Sequence, residues 1–169
     1  MRGGAVEFFI GGARSGKSRL AQAAAEALPG ELVYLATGAA FDDEMAERID
    51  RHRTDRGARW RTVECPIDLP AALAREAGAV ILVDCLTLWL SNLMLGDHDI
   101  EAASEALVAA LGDAPGPVFV VSNEVGLGIV PDNALARRFR DAAGRLNQRV
   151  AAAADGVSFV AAGLALRLK

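Results

Sequence analysis

Eight residues near the amino terminus constrain this chain most: Gly11-Gly12-Ala13-Arg14-Ser15-Gly16-Lys17-Ser18. They match G-x-x-x-x-G-K-[ST], the P-loop pattern. The flanks agree with it. Val6-Glu7-Phe8-Phe9-Ile10 reads as a strand leading in, and Arg19 to Leu28 as a helix leading out. Glycine lets backbone N–H groups curl around phosphate oxygens with no side chain in the way. The helix N-terminus adds positive potential at the same point. In such a loop Lys17 reaches the β- and γ-phosphates and the Ser18 hydroxyl ligates Mg²⁺. Arg14 can touch phosphate or face solvent. The plain alternative is a Gly-rich turn that binds nothing. Strand, loop, Lys-Ser and helix in that order argue against it. The motif points to nucleotide phosphates and names no reaction.

A chain of 169 residues suits a single domain, 1–169, with a sizeable core. Hydrophobic residues make up 52%, which argues against disorder. A net charge of −4 gives no electrostatic case for nucleic-acid binding. Cys65 and Cys85 stand in no metal-like spacing and read as reduced core thiols. No long apolar run precedes Gly11, and no stretch is long enough to span a bilayer. The expectation is a cytoplasmic protein without membrane insertion.

The pattern along the chain alternates strand and helix. Leu32–Ala36 reads as a strand, 42–56 as a highly charged helix, Trp60–Glu64 as a short strand and Leu69–Glu76 as a helix. Val80-Ile81-Leu82-Val83-Asp84 is a continuous apolar run ending in an acid, as in a strand buried on both faces. Helices are expected over Leu86–Leu95 and Ile100–Leu111, and a buried strand over Val118–Ser122. Pro131 fits near a helix start, after which Leu135, Phe139, Ala142, Leu146 and Val150 recur at helical spacing. Val157–Ala161 and Leu164–Leu168 close the chain as two strands too tightly linked for a crossover. The fold class that follows is α/β: a P-loop, doubly wound, mainly parallel sheet with helices on both faces and an antiparallel last strand.

Three further residues carry chemistry. Asp84 ends its strand at the carboxyl edge of the sheet, where ligands bind, and the acid there supports Mg²⁺ directly or through water. A capping role for the next helix is the alternative. Glu124, after Asn123, lies on the same edge and is either a base for a substrate hydroxyl or ordinary loop polarity. His52 shares the one apolar stripe of its charged helix with Met45 and Ile49, and Arg48 and Arg56 sit one turn to either side. Two guanidiniums disfavour an imidazolium, so the ring should stay neutral and nucleophilic, and the same arginines would clamp an anion. Spacing alone still favours the plainer reading, a half-buried surface histidine. His98 reads as solvated, and Trp60 and Trp89 as core or interface residues.

Several of these pieces together resemble one family. The loop from Gly11 to Ser18, Tyr34-Leu35-Ala36-Thr37, Asp42 to Ile49 leading to His52, and Trp60-Arg61-Thr62-Val63-Glu64 all fit it. The most specific piece is Asn123-Glu124-Val125-Gly126-Leu127-Gly128-Ile129-Val130-Pro131. Arg137 to Asp141 and Gly144 to Gln148 follow it. From Phe9 to Lys169 the chain resembles the bifunctional adenosylcobinamide kinase/adenosylcobinamide-phosphate guanylyltransferases of cobalamin biosynthesis.

That resemblance implies a two-step enzyme. A nucleoside triphosphate, ATP or GTP, phosphorylates adenosylcobinamide. GTP then guanylylates a histidine, and GMP passes to adenosylcobinamide phosphate, giving adenosylcobinamide-GDP. The family's guanylylated histidine falls on His52, which reverses the plainer reading of that residue, and Lys17 serves both steps. The GTP contacts fall on Gly11, Gly12, Ala13, Arg14, Ser15, Gly16, Lys17 and Ser18, on Ala36, Thr37 and Gly38, on Arg53, Thr54, Asp55 and Arg56, and on Glu64 and Asp84. Glu64 would meet either the guanine edge or the ribose. The resemblance also implies a homo-oligomer, a trimer. The Gly96–Asp99 region is short against the family pattern. A P-loop small-molecule kinase with His52 incidental is the runner-up, and a non-catalytic nucleotide switch the third reading.

Overall fold

Period-two alternation in the inner strands decides how the layers stack. In Leu32–Ala36, Val33 and Leu35 join one buried cluster and Leu32, Tyr34 and Ala36 the other. A strand buried on both faces needs helices on both sides. A computed structural model of the chain describes residues 4–38 and 59–169, and in it that requirement is met. The elements are β1 (Val6–Gly11), α1 (Lys17–Glu26), β2 (Leu32–Ala36), β3 (Trp60–Glu64), α2 (Leu69–Arg75), β4 (Val80–Asp84), α3 (Leu86–Leu95), α4 (Ile100–Asp113), β5 (Val118–Asn123), α5 (Ala134–Ala153), β6 (Gly156–Ala161) and β7 (Leu164–Arg167).

The strands form one sheet in the order β3-β2-β4-β5-β1-β6-β7. All neighbours are parallel except β6 and β7. The antiparallel last strand expected from the short link is therefore present, joined through Ala162 and Gly163, both at positive φ. Helix α1 covers one face, with Ala21 and Ala25 buried against Phe9, Leu82 and Phe119. Helices α2 to α5 supply the buried side chains of the other face, among them Leu69, Trp89, Leu107 and Leu146. The doubly wound α/β architecture stands as read.

Boundaries differ by one or two residues in places. Helix α4 runs on to Asp113, two residues past the expected end at Leu111, and β6 begins one residue early at Gly156. Pro131 is not the first helical residue. Asn133 caps α5, its side chain accepting from Ala136 N at 2.8 Å. Leu135 belongs to the helical stripe by spacing but is exposed, because α5 has only just begun there and lies beyond the core. The charged helix expected over 42–56 lies outside the described residues.

Candidate active site

The carboxyl ends of the parallel strands bring the candidate residues side by side. Strand register sets Glu64 opposite Ala36, Ala36 opposite Asp84, and Gly11 opposite both Asn123 and Val160. Residues far apart along the chain thus share one edge, at the crevice where doubly wound sheets bind ligands.

The loop after β1 is shaped as a cradle. Arg14 and Gly16 both have left-handed backbone, φ 56 and 95. Gly16 caps α1, and among the described residues no side-chain cap bond is made to the helix's first turn. Those N–H groups are open to an anion. Gly11 cannot carry a side chain, since a Cβ there would lie 2.2 Å from the Val160 carbonyl oxygen. The cradle is braced on both flanks: Glu124 N donates to Gly11 O at 2.9 Å, and Gly163 N in the β6–β7 turn donates to Ser15 O at 2.8 Å. Lys17 is buried, and its Nζ donates to Gly12 O at 2.9 Å. Burial lowers its pKa below the usual lysine value, while Cys85 and Asp84 act to raise it.

Asp84 shares the α1 face of β4 with Val80 and Leu82 by alternation. It is half-buried, and Tyr34 Oη donates to its Oδ2 at 3.1 Å. Among the described residues no cluster of three or more His, Cys, Asp or Glu could hold a metal ion. Mg²⁺ does not require one, since it binds through one or two protein oxygens plus substrate phosphates and water. Ser18 and Asp84 are a donor set of that kind. The Ser15 hydroxyl is buried inside the loop with no partner among the described residues, as fits a cradle completed by a ligand.

Thr37 departs from a simple contact role. It is fully buried, its Oγ1 donating to Cys85 O at 2.7 Å and accepting from Cys85 N at 2.8 Å. Asn92 Nδ2 donates to Thr37 O at 2.7 Å and to Pro66 O at 2.9 Å. Thr37 therefore ties the exit of β2 to the exit of β4, next to Asp84, while Gly38 beside it is half-buried. Sequence reading did not find this clasp, nor the Tyr34–Asp84 bond. Glu64 is exposed at the end of β3. His52, Arg53, Thr54, Asp55 and Arg56 lie outside the described residues.

The remaining singled-out residues have plain roles. Trp89 is fully buried and its Nε1 donates to Ile67 O at 2.6 Å. Trp60 packs edge-on to Tyr34, ring centroids 6.2 Å apart, and donates to Glu26. Cys65 and Cys85 are free and buried, and desolvation pushes both thiols up to about 11, so they stay protonated at neutral pH. His98 is exposed. No helix among the described residues is long and apolar enough to cross a membrane.

The open loop and the acid on the same edge suit a phosphate-bearing ligand, and comparison with known proteins gives the family. The family model described as cobinamide kinase / cobinamide phosphate guanyltransferase, CobU, matches residues 7–168. The chain belongs to the CobU family. It is 48% identical over 167 residues to the bifunctional adenosylcobalamin biosynthesis protein CobP of Pseudomonas aeruginosa, covering 96% of each chain. It is 45% identical over 176 residues to the protein of that description, CobU, from Salmonella typhimurium, covering 94% of this chain and 97% of the relative. A solved structure from Pyrococcus horikoshii OT3 shares the fold at a TM-score of 0.60 and 8% identity, over 100% of this chain and 88% of that one. As a CobU-family member the protein is a cobinamide kinase and cobinamide phosphate guanyltransferase, and both activities draw on nucleoside triphosphates.

Proposed function

We propose that the protein phosphorylates adenosylcobinamide with ATP or GTP and then converts the product to adenosylcobinamide-GDP through a guanylylated His52. The observation that carries the reading is the braced cradle, with buried Lys17 and half-buried Asp84 on one sheet edge, in a CobU-family chain that has His52.

In the first step the substrate hydroxyl oxygen attacks the γ-phosphorus and the β–γ bridging P–O bond breaks. The nucleoside diphosphate leaves, and the hydroxyl proton passes to a base. Glu124, whose backbone braces the cradle, is the candidate for that proton. Lys17 and the open amides of α1 hold the phosphate oxygens as charge moves onto the leaving group. Ser18 and Asp84 would hold Mg²⁺, which when bound offsets phosphate charge.

In the second step a neutral His52 nitrogen attacks the α-phosphorus of GTP, the α–β bridging bond breaks, and pyrophosphate leaves. The phosphate oxygen of adenosylcobinamide phosphate then attacks that phosphorus, the P–N bond breaks, and the histidine is restored. Gly38, on the carboxyl edge, opens the segment that carries His52 fourteen positions later. We assign Arg53 to Arg56 and Glu64 to the GTP as well, and take the working unit to be a cytoplasmic homo-oligomer, a trimer.

The test is covalent labelling. GTP labelled at the α-phosphate should leave label on the denatured protein, stable in alkali and lost in acid, as a phosphoramidate is. His52→Asn should remove the label and keep kinase turnover. Label that persists in His52→Asn would move the guanylylated nucleophile to another residue, and its absence from the wild type would remove the covalent intermediate altogether.

A further inference from the structure

We infer that the loop between β5 and α5 is the ledge that holds the corrin ring, with Leu127, Ile129 and Val130 as the side chains that meet it. This rests on the cobinamide reading above and adds which part of the chain recognises the ring.

The loop leaves the sheet beside the phosphate cradle, since its first residue, Glu124, donates its N–H to Gly11 O at 2.9 Å. Both of its ends are pinned. At the root, Asn123 N donates to Thr87 Oγ1 at 2.7 Å, Asn147 Nδ2 donates to Asn123 O at 3.3 Å, and the Glu124 carboxylate accepts from Gly126 N. At the far end, Arg137 Nη1 donates to Pro131 O and Asp132 O, each at 2.9 Å. Between these anchors the tip is turned out to water: Leu127 is 81% exposed, Ile129 97% and Val130 60%. No hydrogen bond among the described residues holds the tip, and none of its side chains joins the core. Single exposed apolar residues need no explanation, but a cluster of them on an anchored loop beside a reaction site marks a binding surface.

The chemistry selects the occupant. The acceptor hydroxyl sits on a short aminopropanol arm of a macrocycle. For it to reach the γ-phosphate on Lys17, the ring must rest within that arm's length, outside the cradle and on the same edge. A corrin ring shows methyl-bearing apolar faces and an amide rim. Branched aliphatic side chains suit the faces, and the exposed backbone at Gly126 and Gly128 suits the amides. The nucleotide contacts proposed above fall on the P-loop, the exit of β2, Arg53 to Arg56, Glu64 and Asp84, and none of them on this loop.

The test uses the full chain with Leu127→Ser and Ile129→Ser, singly and together. The KM for adenosylcobinamide in the kinase step should rise about tenfold or more in the double variant, the scale on which apolar pockets discriminate. Label from α-labelled GTP should stay within about twofold of wild type, because self-guanylylation needs no ring. The mass of the assembly in solution should not change. An unmoved KM overturns the inference. So does a fall in assembly mass, which would assign the tip to contact between copies, and so does a parallel loss of GTP labelling. Failure of the wild type to phosphorylate adenosylcobinamide at all would remove the cobinamide reading itself, a result distinct from normal turnover with an unmoved KM.

Discussion

Lys17 combines burial with charge, and that combination makes a pH signature. Its ammonium rests on the Gly12 carbonyl inside the loop, and desolvation lowers its pKa below 10.5. The cation is the form that binds phosphate. Affinity for the triphosphate should therefore be full at pH below the lowered value and fall as pH rises through it, earlier than an ordinary lysine would allow. Lys17→Ala should weaken GTP binding by about ten- to a hundredfold for each charge-assisted hydrogen bond it removes, at ~1.5–3 kcal/mol apiece. The fold should survive, because the ammonium's hydrogen bond among the described residues is the local one to Gly12 O. Calorimetric titration with GTP across pH checks both points, and Lys17→Arg should abolish the alkaline fall. Binding by Lys17→Ala as tight as wild type would remove the cradle assignment.

The elements were legible because their signals are local. The apolar runs at 80–83 and 118–121 announced strands buried on two faces, and the link of Ala162 and Gly163 announced an antiparallel turn. The P-loop was legible for the same reason, since eight contiguous residues carry it. What could not be read were bonds between elements. Thr37 and Cys85 lie 48 positions apart, and Tyr34 and Asp84 lie 50 apart. Only the β2–β4 register, with Tyr34 opposite Leu82, makes either pairing possible. Leu135 misled for a complementary reason: helical spacing says which face a residue is on, and nothing about whether another element reaches that far. The clasp carries its own prediction. Thr37→Val keeps shape but leaves the buried Cys85 N–H without its acceptor, while Cys85 O loses one of two donors and keeps Trp89 N at 3.2 Å. It should cost about 1–3 kcal/mol, lowering the melting temperature by roughly 2–4 °C per kcal/mol. Thr37→Ser should restore most of the stability. A melting curve unchanged in Thr37→Val would show that the strand exits do not depend on the clasp.

At the scale of the whole molecule, two different phosphorus atoms must be attacked from one edge of one sheet. The chain has a single G-x-x-x-x-G-K-[ST] stretch, and β1 places it between β5 and β6, with Asp84 on the far side of β5. If the γ-phosphate of the kinase donor and the pyrophosphate part of GTP in the histidine step use the same cradle, the two steps cannot be occupied at once. An ATP analogue whose γ-phosphate cannot be transferred should then inhibit labelling of His52 by GTP competitively. Raising GTP should restore the full rate, and the inhibition constant should equal the analogue's directly measured Kd. Pyrophosphate should compete in the same way and also strip label, because it is the leaving group returning. The single cradle, held on both flanks by the backbone of Glu124 and Gly163, is what motivates the expectation. Inhibition that GTP cannot overcome would mean a second nucleotide site elsewhere on the assembly, with the histidine step served by a different surface from the one Lys17 commands.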